Sequence, residues 1–133
     1  MHYVALMHKD AESAYGVSFP DLPGCYSAGD TLDEAMSNAV AGLGSFVRWL
    51  ENDGDPVPQP RAPDEIMADP TLRKDREGAT LVLVPLVRDL GETTRINVSI
   101  DLGLLEAIDD KARQRGQTRS AFIASAVRKE LAQ

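Results

Sequence analysis

A chain of 133 residues with 43% apolar and 26% charged residues has an ordinary globular composition, which excludes a disordered or fibrous protein, and no apolar run reaches the roughly 18 residues that span a bilayer. A single cysteine, Cys25, excludes an intrachain disulfide, and His2 and His8 alone make no cluster spaced like a zinc site, so neither metal nor cofactor is expected. The net charge of -7 argues against a nucleic-acid binder on average, but residues 1–78 hold 14 Asp+Glu against 6 Lys+Arg (-8) while residues 79–133 hold 7 against 8 (+1).

The start, Met1-His2-Tyr3, enters a strand pattern without a basic segment and a cleavable apolar stretch, and a cytoplasmic protein with no membrane partner is expected. Tyr3 to His8 and Ala14 to Phe19 read as a hairpin, with Tyr15, Val17 and Phe19 on one face of its second strand. Pro20-Asp21-Leu22-Pro23-Gly24 must turn the chain, and Cys25 to Ala28 fits a short third strand. Thr31 followed by Glu34 forms the pattern of a capping box, so a helix starts there. Leu32, Met36, Ala39, Leu43, Phe46, Val47 and Leu50 recur at three- and four-residue steps, a stripe that covers the sheet, and Asn52-Asp53-Gly54 stops the helix.

Trp49 lies about 100° round from the middle of that stripe. It belongs at the core edge, where it is also the one candidate contact for a protein partner. Gly42 and Gly44 lack the Lys-Ser/Thr of a phosphate loop and are expected to permit close packing. Asp55 to Pro63, with four prolines, is an extended and semi-rigid connection. Asp64 to Glu77 has room to contain a short charged helix, and Thr80 to Val87 suits a strand that Pro85 places at an edge or near a bulge.

The stretch Tyr15-Gly16-Val17-Ser18-Phe19-Pro20-Asp21-Leu22-Pro23-Gly24-Cys25, followed by Gly29-Asp30-Thr31-Leu32-Asp33-Glu34-Ala35, resembles the N-terminal domain of HicB antitoxins. The likeness runs through the helix ending in Leu50 and the segment Pro56 to Pro60, then resumes at Leu81-Val82-Leu83-Val84-Pro85. It implies a partial RNase H-like fold that binds and occludes HicA, a small mRNA-cleaving toxin.

Farther on, Arg95-Ile96-Asn97-Val98-Ser99-Ile100 alternates strictly, with Ile96, Val98 and Ile100 on one face and Arg95, Asn97 and Ser99 on the other. Asp101 can cap a helix in which Leu104, Leu105, Ile108 and Ala112 share a face, and Gly116 suits its left-handed end. Thr118 can cap a second helix with Phe122, Ile123, Ala126, Val127 and Leu131 spaced for burial. One strand and two short helices cannot enclose a core alone, so two chains are expected to pair their strands. Ile96, Val98, Ile100, Leu105, Ile108, Phe122 and Ile123 then form the dimer core.

The paired strands would make a ribbon of the size the DNA major groove admits. Arg95, Asn97 and Ser99 would project toward base edges, while Thr118, Arg119 and Ser120 meet a backbone phosphate. Through Arg95 to Ile100, Leu104 to Asp109 and Gly116 to Ile123 the segment resembles the ribbon-helix-helix repressors.

The expectation is an α+β chain. Residues 1–88 form a small antiparallel sheet packed on a long helix, 89–94 a linker, and 95–133 a ribbon-helix-helix unit. The corresponding function is an antitoxin that occludes a HicA-like toxin and represses its own operon at operator DNA, as a homodimer or, with further pairing, a homotetramer. The alternative is a stand-alone ribbon-helix-helix regulator whose first domain senses something else. A nuclease is the weakest reading, since Asp21 and Asp30 lie near turns but spacing assembles no acidic cluster or acid-base arrangement. No catalytic residue is assigned.

Overall fold

A computed structural model describes residues 1–132. Strands β1 (His2–Lys9), β2 (Tyr15–Ser18), β3 (Tyr26–Gly29) and β4 (Thr80–Pro85) form one antiparallel sheet in the order β3-β2-β1-β4. The longest strand, β1, is interior. Its register pairs Met7 with Val17 on one side and Tyr3 with Val84 on the other. β4 closes one edge with Pro85 opposite His2, where a residue that donates no ladder bond is tolerated.

Helix α1 (Leu32–Asn52) lies across the sheet because its Met36, Ala39, Leu43 and Val47 bury together with Tyr3, Ala5, Met7, Val17 and Phe19. Residues of opposite parity in β1, Val4 and Leu6, are buried as well, so this strand is covered on both faces. The α1 start is a capping box with one shift. Thr31 Oγ1 accepts from the Glu34 amide at 3.1 Å, but the Glu34 carboxylate reaches back to the amide of Asp30, one residue before the cap, at 3.1 Å.

The proline-rich connection is fastened to the domain. Pro58 carbonyl accepts from the Tyr3 hydroxyl at 2.6 Å, and Arg61 binds Asp21 and Asp69. The segment 64–77, expected to contain a short charged helix, holds α2 (Pro63–Ala68), a 3-10 turn (Pro70–Leu72) and α3 (Arg73–Arg76). Pro70 breaks the run, since it has no amide to donate and restrains the residue before it. Leu32 departs from the expected stripe: it is 50% exposed, while Ala35 and Met36 beside it are buried.

Beyond β4 the chain runs along α1. A Cβ placed on Gly44 would stand 2.3 Å from the Val87 carbonyl oxygen. This is the close approach expected of that glycine. Two helices follow, α4 (Leu102–Gln114) and α5 (Arg119–Leu131), capped by Asp101 and Thr118 as expected, with Gly116 at φ +64 between them. Among the described residues, 95–100 find no ladder partner, and the strand expected there, which was to pair with that of a second copy, is not formed within one chain. A lone strand has no backbone partner within one copy. Ile96, Val98, Val127 and Leu131, spaced for burial, are exposed in the single chain at 73%, 70%, 50% and 45%.

Candidate protein-partner and nucleic-acid interfaces

Trp49 stands on an exposed flank of α1. Its ring centroid lies 5.5 Å from that of half-buried Phe46, at a tilted 49°, leaving it 54% exposed. It is thus a supported aromatic that presents much of its surface, the kind of anchor that interfaces favour. Tyr26 at the outer strand and Met67 are also exposed, at 73% and 55%. Sequence reasoning missed both, since it assigned no faces to the short third strand or to the charged segment that holds Met67.

Acidic side chains do not gather into a centre. Asp21 has a 7% exposed side chain and is consumed by Arg61, whose backbone amide and Nε donate to it at 2.7 and 2.6 Å. Asp69 takes Arg61 Nη1 at 2.8 Å, and with Thr71 donating from both its hydroxyl and amide the Asp69 carboxyl is pulled down to about 2. Asp30 sits apart and exposed. Among the described residues no three His, Cys, Asp or Glu side chains could hold a metal. Buried Cys25 is unpaired, and burial pushes its thiol up to about 11, far from a reactive thiolate.

In the C-terminal third, Arg95, Asn97 and Ser99 are exposed, as are Ile96, Val98 and Ile100. Within the helix pair Ile108 is buried, Leu105 and Phe122 are half-buried, and Ile123 is exposed at 37%. Arg115 lies over the Phe122 ring at 5.6 Å from its centroid. The start of α5 brings Thr118, Arg119 and Ser120 together. Thr118 Oγ1 accepts from the Ala121 amide at 3.1 Å. Arg119 does not point freely outward: its Nε and Nη2 donate to the two carboxylate oxygens of Asp109 at 2.9 and 2.8 Å. That fork holds the Asp109 carboxyl below its ordinary range and raises Arg119. Asp109 was invisible as a site residue because it lies ten positions earlier, on another helix.

The two parts of the chain also touch. Ser37 Oγ donates to the Ser125 carbonyl at 3.2 Å, and Lys129 Nζ binds Asp33 at 3.0 Å, seating α5 on the first turns of α1. Asp89 binds Ser45 and Arg48, and Arg88 binds Glu51, along the second half of α1. Among the described residues no helix is long and apolar enough to cross a membrane.

Comparison with known proteins gives this arrangement a family. A crystal structure of the Burkholderia pseudomallei antitoxin HicB superposes over 98% of this chain and 98% of its own, at 34% identity and a TM-score of 0.55. The separately solved N-terminal domain of that protein matches 65% of this chain and 99% of its own, at 31% identity and a TM-score of 0.53. A chain of the HicA3 and HicB3 toxin-antitoxin complex likewise matches 65% of this chain and 99% of its own, at 32% identity and a TM-score of 0.55. The family model for the HicB-like antitoxin of bacterial toxin-antitoxin systems matches residues 3–127, and the chain belongs to that antitoxin family.

Proposed function

We propose that the chain neutralises a HicA-like toxin through residues 1–88 and represses its own operon through residues 95–133, joined by the linker 89–94. The observation that carries the first part is the match to a chain of a HicA3 and HicB3 complex, which 65% of this chain covers almost completely. The charge supports it: a balance of -8 over residues 1–78 attracts a basic partner at long range. Occlusion requires no chemistry from the antitoxin, so no catalytic residue is assigned. Within the first domain Trp49 is the candidate anchor. The test is a pull-down of a co-expressed HicA-like toxin by residues 1–88 and by the full chain. Retention by the full chain alone, with the fragment folded, would refute this division of labour.

The repressor role rests on the alternation of residues 95–100 together with their exposure in the single chain. Three branched apolar side chains in a row on one face call for a cover, and a second copy of the same strand supplies both apolar contact and backbone bonds. Arg95, Asn97 and Ser99 then lie together on the opposite face, where Arg suits guanine and Asn adenine. Thr118, Arg119 and Ser120 are assigned to backbone phosphate. The dimer, or a tetramer made from two, is the DNA-binding species.

A further inference from the structure

We propose that Asp109 is a built-in counter-ion that competes with DNA phosphate for Arg119 and thereby holds down the chain's affinity for all duplexes. The inference rests on the repressor reading and adds to it a residue that limits binding. The Arg119 guanidinium presents a planar fork whose two donors meet a carboxylate or a phosphate in the same geometry. In this structure the fork is filled: both donors reach Asp109, at 2.9 and 2.8 Å.

The pair bridges α4 to the start of α5, beside the turn around Gly116. At that place the Thr118 cap takes the Ala121 amide, and the guanidinium is the first cation of the helix. A phosphate arriving there must displace or share Asp109 and is repelled by its charge. Both side chains are partly open to solvent, 55% for Arg119 and 35% for Asp109, so the exchange needs no unfolding. The arrangement suits a protein with net charge -7: sequence-specific contacts must supply what a neutralised phosphate contact does not, which favours operator over random DNA.

The experiment is a salt titration of the full chain on an operator duplex and a scrambled duplex, comparing Asp109→Asn, Asp110→Asn and the double variant Asp109→Asn/Arg119→Ala. Asp110 is the internal control. It is the adjacent residue, carries the same charge, and pairs with Arg113 rather than Arg119. The expected result is that Asp109→Asn binds both duplexes several-fold more tightly near 0.1 M salt. Its slope of log affinity against log salt steepens by about one unit, the yield of one added phosphate contact.

Asp110→Asn should leave the slope unchanged, and the Arg119→Ala background should abolish the gain. Equal steepening by both Asn variants would reduce the effect to net charge and overturn the proposal. So would an unchanged or weaker Asp109→Asn protein that circular dichroism shows folded. Should Asp109→Asn not fold, Asp109→Ser, which keeps a small polar side chain at the helix surface, is held to the same outcomes. Wild type binding neither duplex would bring down the repressor reading itself, whereas operator binding by wild type with no effect of Asp109→Asn brings down this inference alone.

Discussion

Gly44 and Asp69 show how single residues hold the first domain in shape. At Gly44 an added methyl meets the Val87 carbonyl oxygen at 2.3 Å. Alanine would gain up to about 1 kcal/mol of helix propensity. The opposing contact is with backbone, which can yield only if the chain after β4 lifts from α1, and such overpacking costs about 1–3 kcal/mol. Gly44→Ala should therefore lower the denaturation midpoint; a midpoint equal to or above wild type would show that the approach is not held.

Asp69 gives a pH signature. Its carboxyl falls from an ordinary value of 3.8 to about 2, held chiefly by the Thr71 hydroxyl and then by Arg61. A lowered native pKa stabilises the folded state above the unfolded pKa, and this stability disappears as pH drops through the native value. Thermal melts from pH 5 to pH 2 should lose stability across the window between about 4 and 2. Asp69→Asn should flatten that part of the profile, and a profile identical to wild type would contradict the assignment. Gly44 was legible in the sequence because a glycine inside an apolar helical stripe needs a packing reason. The clasp of Arg61 on Asp21 was not: its partners lie 40 positions apart, and nothing in spacing pairs one exposed-looking Arg with one turn Asp.

Among the elements, those governed by neighbours three or four residues apart could be read directly. The caps Thr31, Asp101 and Thr118 all accept the amide three positions on, since a cap is a local hydrogen bond. Thr31→Ala should cost about 1 kcal/mol in chemical denaturation; no change would mean that Glu34 alone suffices. The prolines before α2 were legible too, as was a short charged helix after them, but the division of 64–77 at Pro70 into two short helices was not read. The segment 95–100 is a different case. Its alternation defines two faces in the sequence, yet the ladder that defines a strand requires a partner, and among the described residues none supplies one.

The same holds for Ile123, at 37% exposed, and for Val127 and Leu131 on α5, whose α1-facing side carries Ser125 and Lys129 instead. Spacing sorted α5 into faces without saying which face its own chain would occupy. Val98→Asp puts a charge on the face assigned to the second copy. Sedimentation should show dissociation into monomers with helix content retained; a variant still dimeric at micromolar concentration would move the interface elsewhere.

For the whole molecule the charge split is the organising fact, and on the proposed function it assigns toxin binding and DNA binding to different physics. The proposed toxin-binding part, with -8 over residues 1–78, would draw a basic partner by long-range attraction. A nearly neutral C-terminal third, if it binds DNA as proposed, cannot rely on that term, since phosphate neutralisation supplies most non-specific affinity. Its selectivity must then come from base edges, and the side chains assigned to them are Arg95, Asn97 and Ser99. Asn97 is the sharpest probe, because Asn can bond adenine through two atoms while Ser discriminates little. Removing its amide should cost about 1–3 kcal/mol of discrimination and leave backbone contacts in place. In a titration of operator and scrambled duplexes, Asn97→Ala is expected to lower operator affinity toward the scrambled value, with the scrambled affinity and the salt slope unchanged. If the ratio of the two affinities stays at the wild-type value while the protein remains dimeric, the strand face does not read bases. Residues 95–133 would then be a dimerisation module whose polar face meets only water.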